Sequence, residues 1–182
     1  MATTLTQIAH FLDRRSWSYH LEPERNRMVT GVKSEVVENF MIVIQLHEGG
    51  EYLELCAPQL LFLKDHVCKG VAFQTMLAIA WEVKLLRWEY DPDDGEVRTS
   101  VALALEDAPL SENQFNRLLS ALIQLTDRAI ERLNTVLVTG EDPGFQPLST
   151  QIAQIAAALR EILPGESLAE LQTQWEQLQE GE

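Results

Sequence analysis

The chain has 182 residues, 46% of them hydrophobic and 23% charged, with 9 Gly and 7 Pro. That is ample for one globular domain with a real core plus an appendage, and it excludes disordered, collagen-like and membrane-spanning classes. The 28 acids against 14 bases leave a net charge of −14, which repels phosphate backbones and anionic headgroups and so argues against nucleic-acid and membrane partners.

No run approaches the roughly 18 consecutive apolar residues of a spanning helix. Met1-Ala2-Thr3-Thr4 lacks the basic-then-apolar signature of a signal peptide. Cys56 and Cys68 form no CxxC pair and are too few for a disulfide scaffold, so they read as buried, reduced thiols. These features predict a cytoplasmic protein.

Thr4-Leu5-Thr6-Gln7 fits a capping box, and Leu5, Ile8, Ala9 and Leu12 follow at helical spacing, which predicts a helix over 5–15. Residues 16–22 alternate, with Trp17, Tyr19 and Leu21 on one side, and predict a strand. A turn at Pro23 to Asn26 leads to a weaker strand over 27–33. Residues 39–47 are β-branched and nearly all apolar, the pattern of a central strand; Glu48-Gly49-Gly50 is its hairpin loop and 51–56 the returning strand. After Pro58 the pattern changes, and Val71, Met76, Leu77, Ala80, Trp81 and Leu85 predict a second helix over 69–86. Residues 87–90 are extended, Asp91 to Gly95 is a Pro- and Gly-containing turn, and 96–105 is another strand. Ser111-Glu112-Asn113-Gln114 is a second capping box, opening a long helix that ends near Val138.

The boundaries that follow are a domain over 1–138, a Gly- and Pro-rich linker over 139–148 and an extension of two amphipathic helices over 149–182. From Glu141 onward there are 8 acids and one base, so half of the net charge lies in the last quarter of the chain.

Chemistry-bearing motifs are absent. There is no Walker A, GxGxxG, GxSxG or HExxH sequence. His47-Glu48-Gly49-Gly50-Glu51 only echoes a zinc-protease motif, because the Gly pair breaks the helix and the second His is missing. Asp65, His66 and Cys68 bring three metal-ligating types together without a fourth. Asp91, Asp93 and Asp94 crowd three carboxylates but lack the EF-hand loop length and its distal Glu. No catalytic residue, metal ligand set or cofactor is therefore assigned. The alternative function, a small-ligand or metal-binding regulatory domain, would draw on Asp65, His66 and Cys68, with Cys56.

The element order is α-β-β-β-β-α-β-β-α. Between Phe73 and Leu133 a helix enters Leu85-Leu86-Arg87-Trp88-Glu89-Tyr90-Asp91. An Asp94-Gly95 hairpin, the strand from Glu96 and Pro109-Leu110-Ser111 then introduce the long last helix. This pattern resembles the type III secretion chaperone-like fold, and in particular the YbjN family, over about residues 4–138. The resemblance implies an α+β fold with an antiparallel sheet flanked by helices, and a non-enzymatic, acidic, homodimeric protein that holds a segment of a client. The extra tail points to complex assembly rather than secretion.

A client segment, basic or amphipathic to suit the acidic surface, would join a sheet edge or lie in an apolar groove. Its candidate contacts are Phe40, Ile42, Ile44 and Leu46 with Trp88 and Tyr90. The tail residues Ile152, Ile155, Leu159, Leu171 and Trp175 have three readings: filling that groove, embracing a second subunit, or capping the domain's own core.

Overall fold

The computed structural model describes residues 2–34, 39–106 and 108–144, and it divides the chain into two units, Met1–Asp142 and Pro143–Glu182. The expected tail contacts from Ile152 to Trp175 lie outside the described residues.

Helix α1 (Leu5–Arg14) starts at Thr4, whose hydroxyl accepts the Gln7 backbone N–H. The reciprocal half of the predicted capping box is not made. Gln7 instead donates its side-chain amide to the Leu110 carbonyl at 2.8 Å, tying the helix to the loop before the last helix. Ser16 takes a positive φ of 55° and ends the helical path, so strand β1 (Tyr19–Glu22) begins three residues later than alternation predicted. A short 3-10 turn and Asn26 in the left-handed region connect β1 to β2 (Arg27–Val32). Strand β3 (Phe40–His47) and β4 (Tyr52–Phe62) follow, joined by a second 3-10 turn over Glu48–Gly50.

Strand β4 corrects the expectation of a break at Pro58. A bulge between Ala57 and Leu61 carries the chain past the proline, and pairing with β6 resumes at Leu61. Proline has no N–H to lose where the ladder is already interrupted. Gln59, at φ 56°, donates its backbone N–H to the Glu96 carboxylate across the bulge. Helix α2 (Lys69–Glu82) stops four residues short of its predicted end, because Val83 is extended and Leu86 turns back into the core. Strands β5 (Arg87–Tyr90) and β6 (Glu96–Ala104) precede helix α3 (Glu112–Thr139). Both halves of the Ser111/Gln114 capping box form, and Gly140 closes the far end of α3 in the left-handed conformation.

The six strands form one antiparallel sheet in the order β1-β2-β3-β4-β6-β5. The chain thus has the α+β class and helix-flanked sheet expected from the sequence. Alternation sends successive side chains to opposite faces of the sheet, and the helices cover one of them. Met28, Ile42, Ile44, Leu53, Leu55 and Val101 are buried and pack in one core with Ile8 and Leu12 of α1 and Phe115, Leu119 and Leu122 of α3. Each such side chain taken wholly out of water contributes about 1.5–3 kcal/mol. A second core gathers Ala72, Met76 and Ile79 of α2 against Ile130, Leu133 and Val136 of α3, with Val97 and Leu63 beneath. Among the described residues no helix is long and apolar enough to cross a membrane.

Candidate functional site

Register builds, row by row, the face of the sheet that no described helix covers. Cross-strand pairing aligns His20, Val29, Val43, Cys56, Ser100 and Arg87, one residue from each strand. The centre of this row is apolar and half-buried. It forms the floor of a shallow depression of about 370 Å³ that Met41, Pro58 and Gln59 also line. Met41 keeps 40% of its surface in water.

A neighbouring row is charged. Glu22, Arg27, Gln45 and Glu54 follow one another across β1 to β4. Arg27 donates to Glu22 at 2.8 Å, and this bond holds the Glu22 carboxyl below the ordinary carboxylate range. Glu54 takes His47 Nε2 on one oxygen at 3.1 Å and Arg87 on the other at 2.9 Å. Arg87 belongs to β5, so its side chain crosses β6 to reach β4. The small side chains of Ser100 and Ala102 on β6 leave room for it. Glu89 completes the network by accepting from Arg98 at 2.7 Å, Ser100 at 2.7 Å and Arg87. Burial pushes the Glu89 carboxyl upward, but these three donors outweigh it and keep its pKa below the usual value. Glu22, Glu54 and Glu89 on this face are each matched by an arginine.

Cys56 lies at the middle of the apolar row. Burial raises its thiol to about 12, so it stays protonated at neutral pH and acts as a small apolar group.

The structure places the expected client contacts on the other side of the sheet. Phe40, Ile42, Ile44 and Leu46 all point toward the helices and are buried in the main core. The residues that β3 offers to solvent are Met41, Val43, Gln45 and His47. Trp88 and Tyr90 share that inward side and are half-buried. Trp88 packs against both cores, and its buried Nε1 has no hydrogen-bond partner among the described residues. Tyr90 meets Phe73 edge-on at 4.9 Å and carries Lys69 Nζ over its ring at 4.9 Å.

The motifs weighed for chemistry have local roles. His66 Nδ1 accepts the Cys68 backbone N–H at 3.1 Å, which shapes the turn into α2. Asp91 and Asp94 accept backbone N–H groups of Asp93 and Glu96 at 2.8 Å and so fold the hairpin turn on itself. No group of three His, Cys, Asp or Glu side chains that could hold a metal occurs among the described residues.

One surface escaped the sequence reading. Trp81 is 91% exposed and Leu77 73% exposed on the outer side of α2. Apolar residues occupy α2 on both sides, and that is the signal: a helix apolar all round needs cover on both sides.

No protein-family model matches the sequence, and no curated protein is significantly similar to it. Solved structures do share its fold. YbjN from E. coli, described as a candidate transcription regulator, superposes with a TM-score of 0.53 at 12% identity, covering 72% of this chain and 89% of that one. A chain of the HopA1–SchA chaperone–effector complex gives 0.50 at 13% identity, covering 69% and 91%. A chain of the ExsC–ExsE complex gives 0.51 at 18% identity, covering 71% and 96%. The chain has the YbjN and type III secretion chaperone-like fold.

Proposed function

We propose that this protein is a non-enzymatic chaperone or assembly factor that holds a segment of a client protein against the uncovered face of its sheet. One observation carries the reading. The Val29–Val43–Cys56 row lies in an open depression, flanked by the Glu22–Arg27 and Glu54–Arg87 pairs. Such a surface offers apolar contact beside charges that are mostly paired, which suits an amphipathic segment. The two short edge strands, β1 and β5, give the client a backbone ladder to extend. The shared fold supports the reading, since two of the similar structures are complexes in which another protein is bound.

Long-range steering and local contact act differently here. The charge of −14 draws a basic segment toward the molecule, whereas the face itself then selects for apolar side chains. Phe40, Ile42, Ile44 and Leu46 serve from beneath by holding β3 against the core, and Trp88 and Tyr90 do the same for β5. The reading includes a cytoplasmic location, a homodimer and a role in complex assembly rather than in secretion.

The test is affinity capture from native lysate with mass spectrometry, using the full chain and Val43→Glu. A single stoichiometric partner that binds the wild type and is lost from a folded Val43→Glu variant is the expected result. A partner retained by that variant moves the site elsewhere, and capture of nothing but the protein itself overturns the chaperone reading.

A further inference from the structure

The open side of the sheet ends at a corner where an aromatic ring and a carboxylate stand together. Leu61 on β4 pairs with Val97 on β6, and both pack in the second core. The next pair, Phe62 and Glu96, therefore shows its side chains to the opposite, open side. Phe62 keeps 57% of its surface in water, and Glu96 is half-buried. One Glu96 oxygen accepts the Gln59 backbone N–H at 2.9 Å, and the other has no partner among the described residues. The cations nearby are committed elsewhere. Arg98, two residues along the same strand, holds Glu89 at 2.7 Å, and Lys64 Nζ donates to the Asp93 carbonyl. Glu96 thus differs from Glu22, Glu54 and Glu89, each of which has an arginine.

We propose that this corner reads a basic side chain, lysine or arginine, in an extended client segment whose apolar side chains fill the depression. The proposal rests on the functional reading above, because it names the chemistry of the segment held there. Glu96 lines the same depression as Val43 and Cys56. It lies four residues along β6 from Ser100, the partner of Cys56, so about 13 Å separates the apolar row from the carboxylate. An extended segment aligned with the strands sends every second side chain to the sheet. One side chain then covers Val43 and Cys56, the next meets Met41 and Pro58, and the third arrives at Phe62 and Glu96. A cation in that third place gains a carboxylate that has no other, with an aromatic ring beside it. An acidic side chain there meets like charge, and an apolar one desolvates Glu96 with nothing in return. The resulting signature is apolar, any, apolar, any, basic. Glu96 fixes the register of the segment and which of its ends lies beside the β4 bulge.

The test is selection of short random peptides displayed on phage against the full chain, as wild type, Val43→Glu, Glu96→Gln and Glu131→Gln. Glu96→Gln keeps an oxygen for the Gln59 N–H and removes the charge. Glu131 is exposed on α3, the helix that packs on the other side of the sheet, so its variant removes the same charge from elsewhere. The expected wild-type selection is the signature above, lost on Val43→Glu and unchanged on Glu131→Gln. On Glu96→Gln the apolar alternation persists and the basic preference disappears. The wild-type consensus peptide, synthesised, should bind Glu96→Gln about three- to tenfold more weakly than Glu131→Gln.

A basic preference that survives Glu96→Gln comes from the overall charge and overturns the inference. Apolar alternation with no basic residue in the wild-type selection also overturns it, and leaves the functional reading standing. No enrichment, or the same enrichment on Val43→Glu, overturns that reading and the inference with it. Circular dichroism checks the fold of each variant. If Glu96→Gln loses its fold, Phe62→Leu at an exposed position decides: it should weaken the basic peptide roughly two- to fivefold and spare the same peptide with glutamine in place of the basic residue.

Discussion

Thr99 on β6 and Thr126 on α3 share a single buried hydrogen bond, their Oγ1 atoms 2.7 Å apart with neither residue exposed. It is a polar stitch inside an otherwise apolar seam between sheet and helix. Replacing either residue by Val keeps the shape and strands the other hydroxyl, at a cost of about 1–3 kcal/mol. The two replacements are not equivalent. Thr126 can turn its hydroxyl to a helix carbonyl one turn back, whereas Thr99 in a strand has no such recourse. Thr126→Val is therefore the more damaging change, and the double variant loses less than the sum of the single ones. Urea unfolding of the three variants measures this; strictly additive losses would show that the hydroxyls are not coupled.

Three glycines with positive φ separate backbone preference from space. Gly49 has φ 68° and, among the described residues, nothing within 4 Å of a side-chain position, so Gly49→Ala costs about 1 kcal/mol. At Gly50, φ 100°, a Cβ would lie 2.1 Å from the Thr3 carbonyl oxygen; at Gly95, φ 86°, it would lie 2.4 Å from the Lys64 backbone nitrogen. The obstruction in both cases is main chain that is itself pinned. Thr3 donates to Gly50 at 3.1 Å, and Leu63 donates to Gly95 at 2.8 Å. Gly50→Ala and Gly95→Ala should each cost roughly 3 kcal/mol or more. Thermal melts of the three alanine variants check the order, and a Gly49→Ala loss as large as the others would refute it.

The Glu89 network sets an acid limit on stability. A carboxyl held below its unfolded value of 4.5 in the folded chain stabilises fully above that value, and the contribution is lost as the pH falls through the lower folded pKa. Glu89→Gln removes that source of pH dependence and leaves Arg87 with Glu54, and Arg98 without its closest carboxylate. The variant should be less stable than wild type at neutral pH and converge toward it on acidification below about 4.5. Chemical denaturation at a series of pH values gives both curves, and parallel curves would remove Glu89 from the account.

Much of this architecture is legible in the sequence because its signals are local. Ser111 with Gln114, the Asp94-Gly95 turn and the apolar period of α3 each act within a few residues. What the sequence leaves open is decided at longer range. Strand β3 reads Phe40-Met41-Ile42-Val43-Ile44, apolar on both sides, so alternation alone does not say which side the helices cover. The answer comes from α1 and α3, far away in the chain. The same ambiguity leaves the expected client contacts Phe40, Ile42, Ile44 and Leu46 on the core-facing side of β3, one residue out of step with the face that is open. The predicted end of α2 lies too far along for a similar reason: no Gly or Pro marks the true one, and Val83 leaves the helix so that Leu86 can reach the core. Gln7 spends its side chain on Leu110 rather than on the cap, a choice that local pattern does not reveal.

Arg132, near the end of α3, grips the chain just after that helix ends. Its guanidinium meets both oxygens of Asp142, at 2.6 and 2.9 Å, and also reaches Glu82 at the end of α2. The fork on Asp142, ahead of the hydrogen bond to Glu82, raises the already high pKa of the arginine further. The segment that looks like the start of a linker thus still belongs to the first unit and fastens the ends of two helices together. Anyone shortening this protein should cut after Asp142. A chain ended at Gly140 would leave Arg132 half-released, and the resulting weakness would be charged to the missing tail when its true source is a severed buckle.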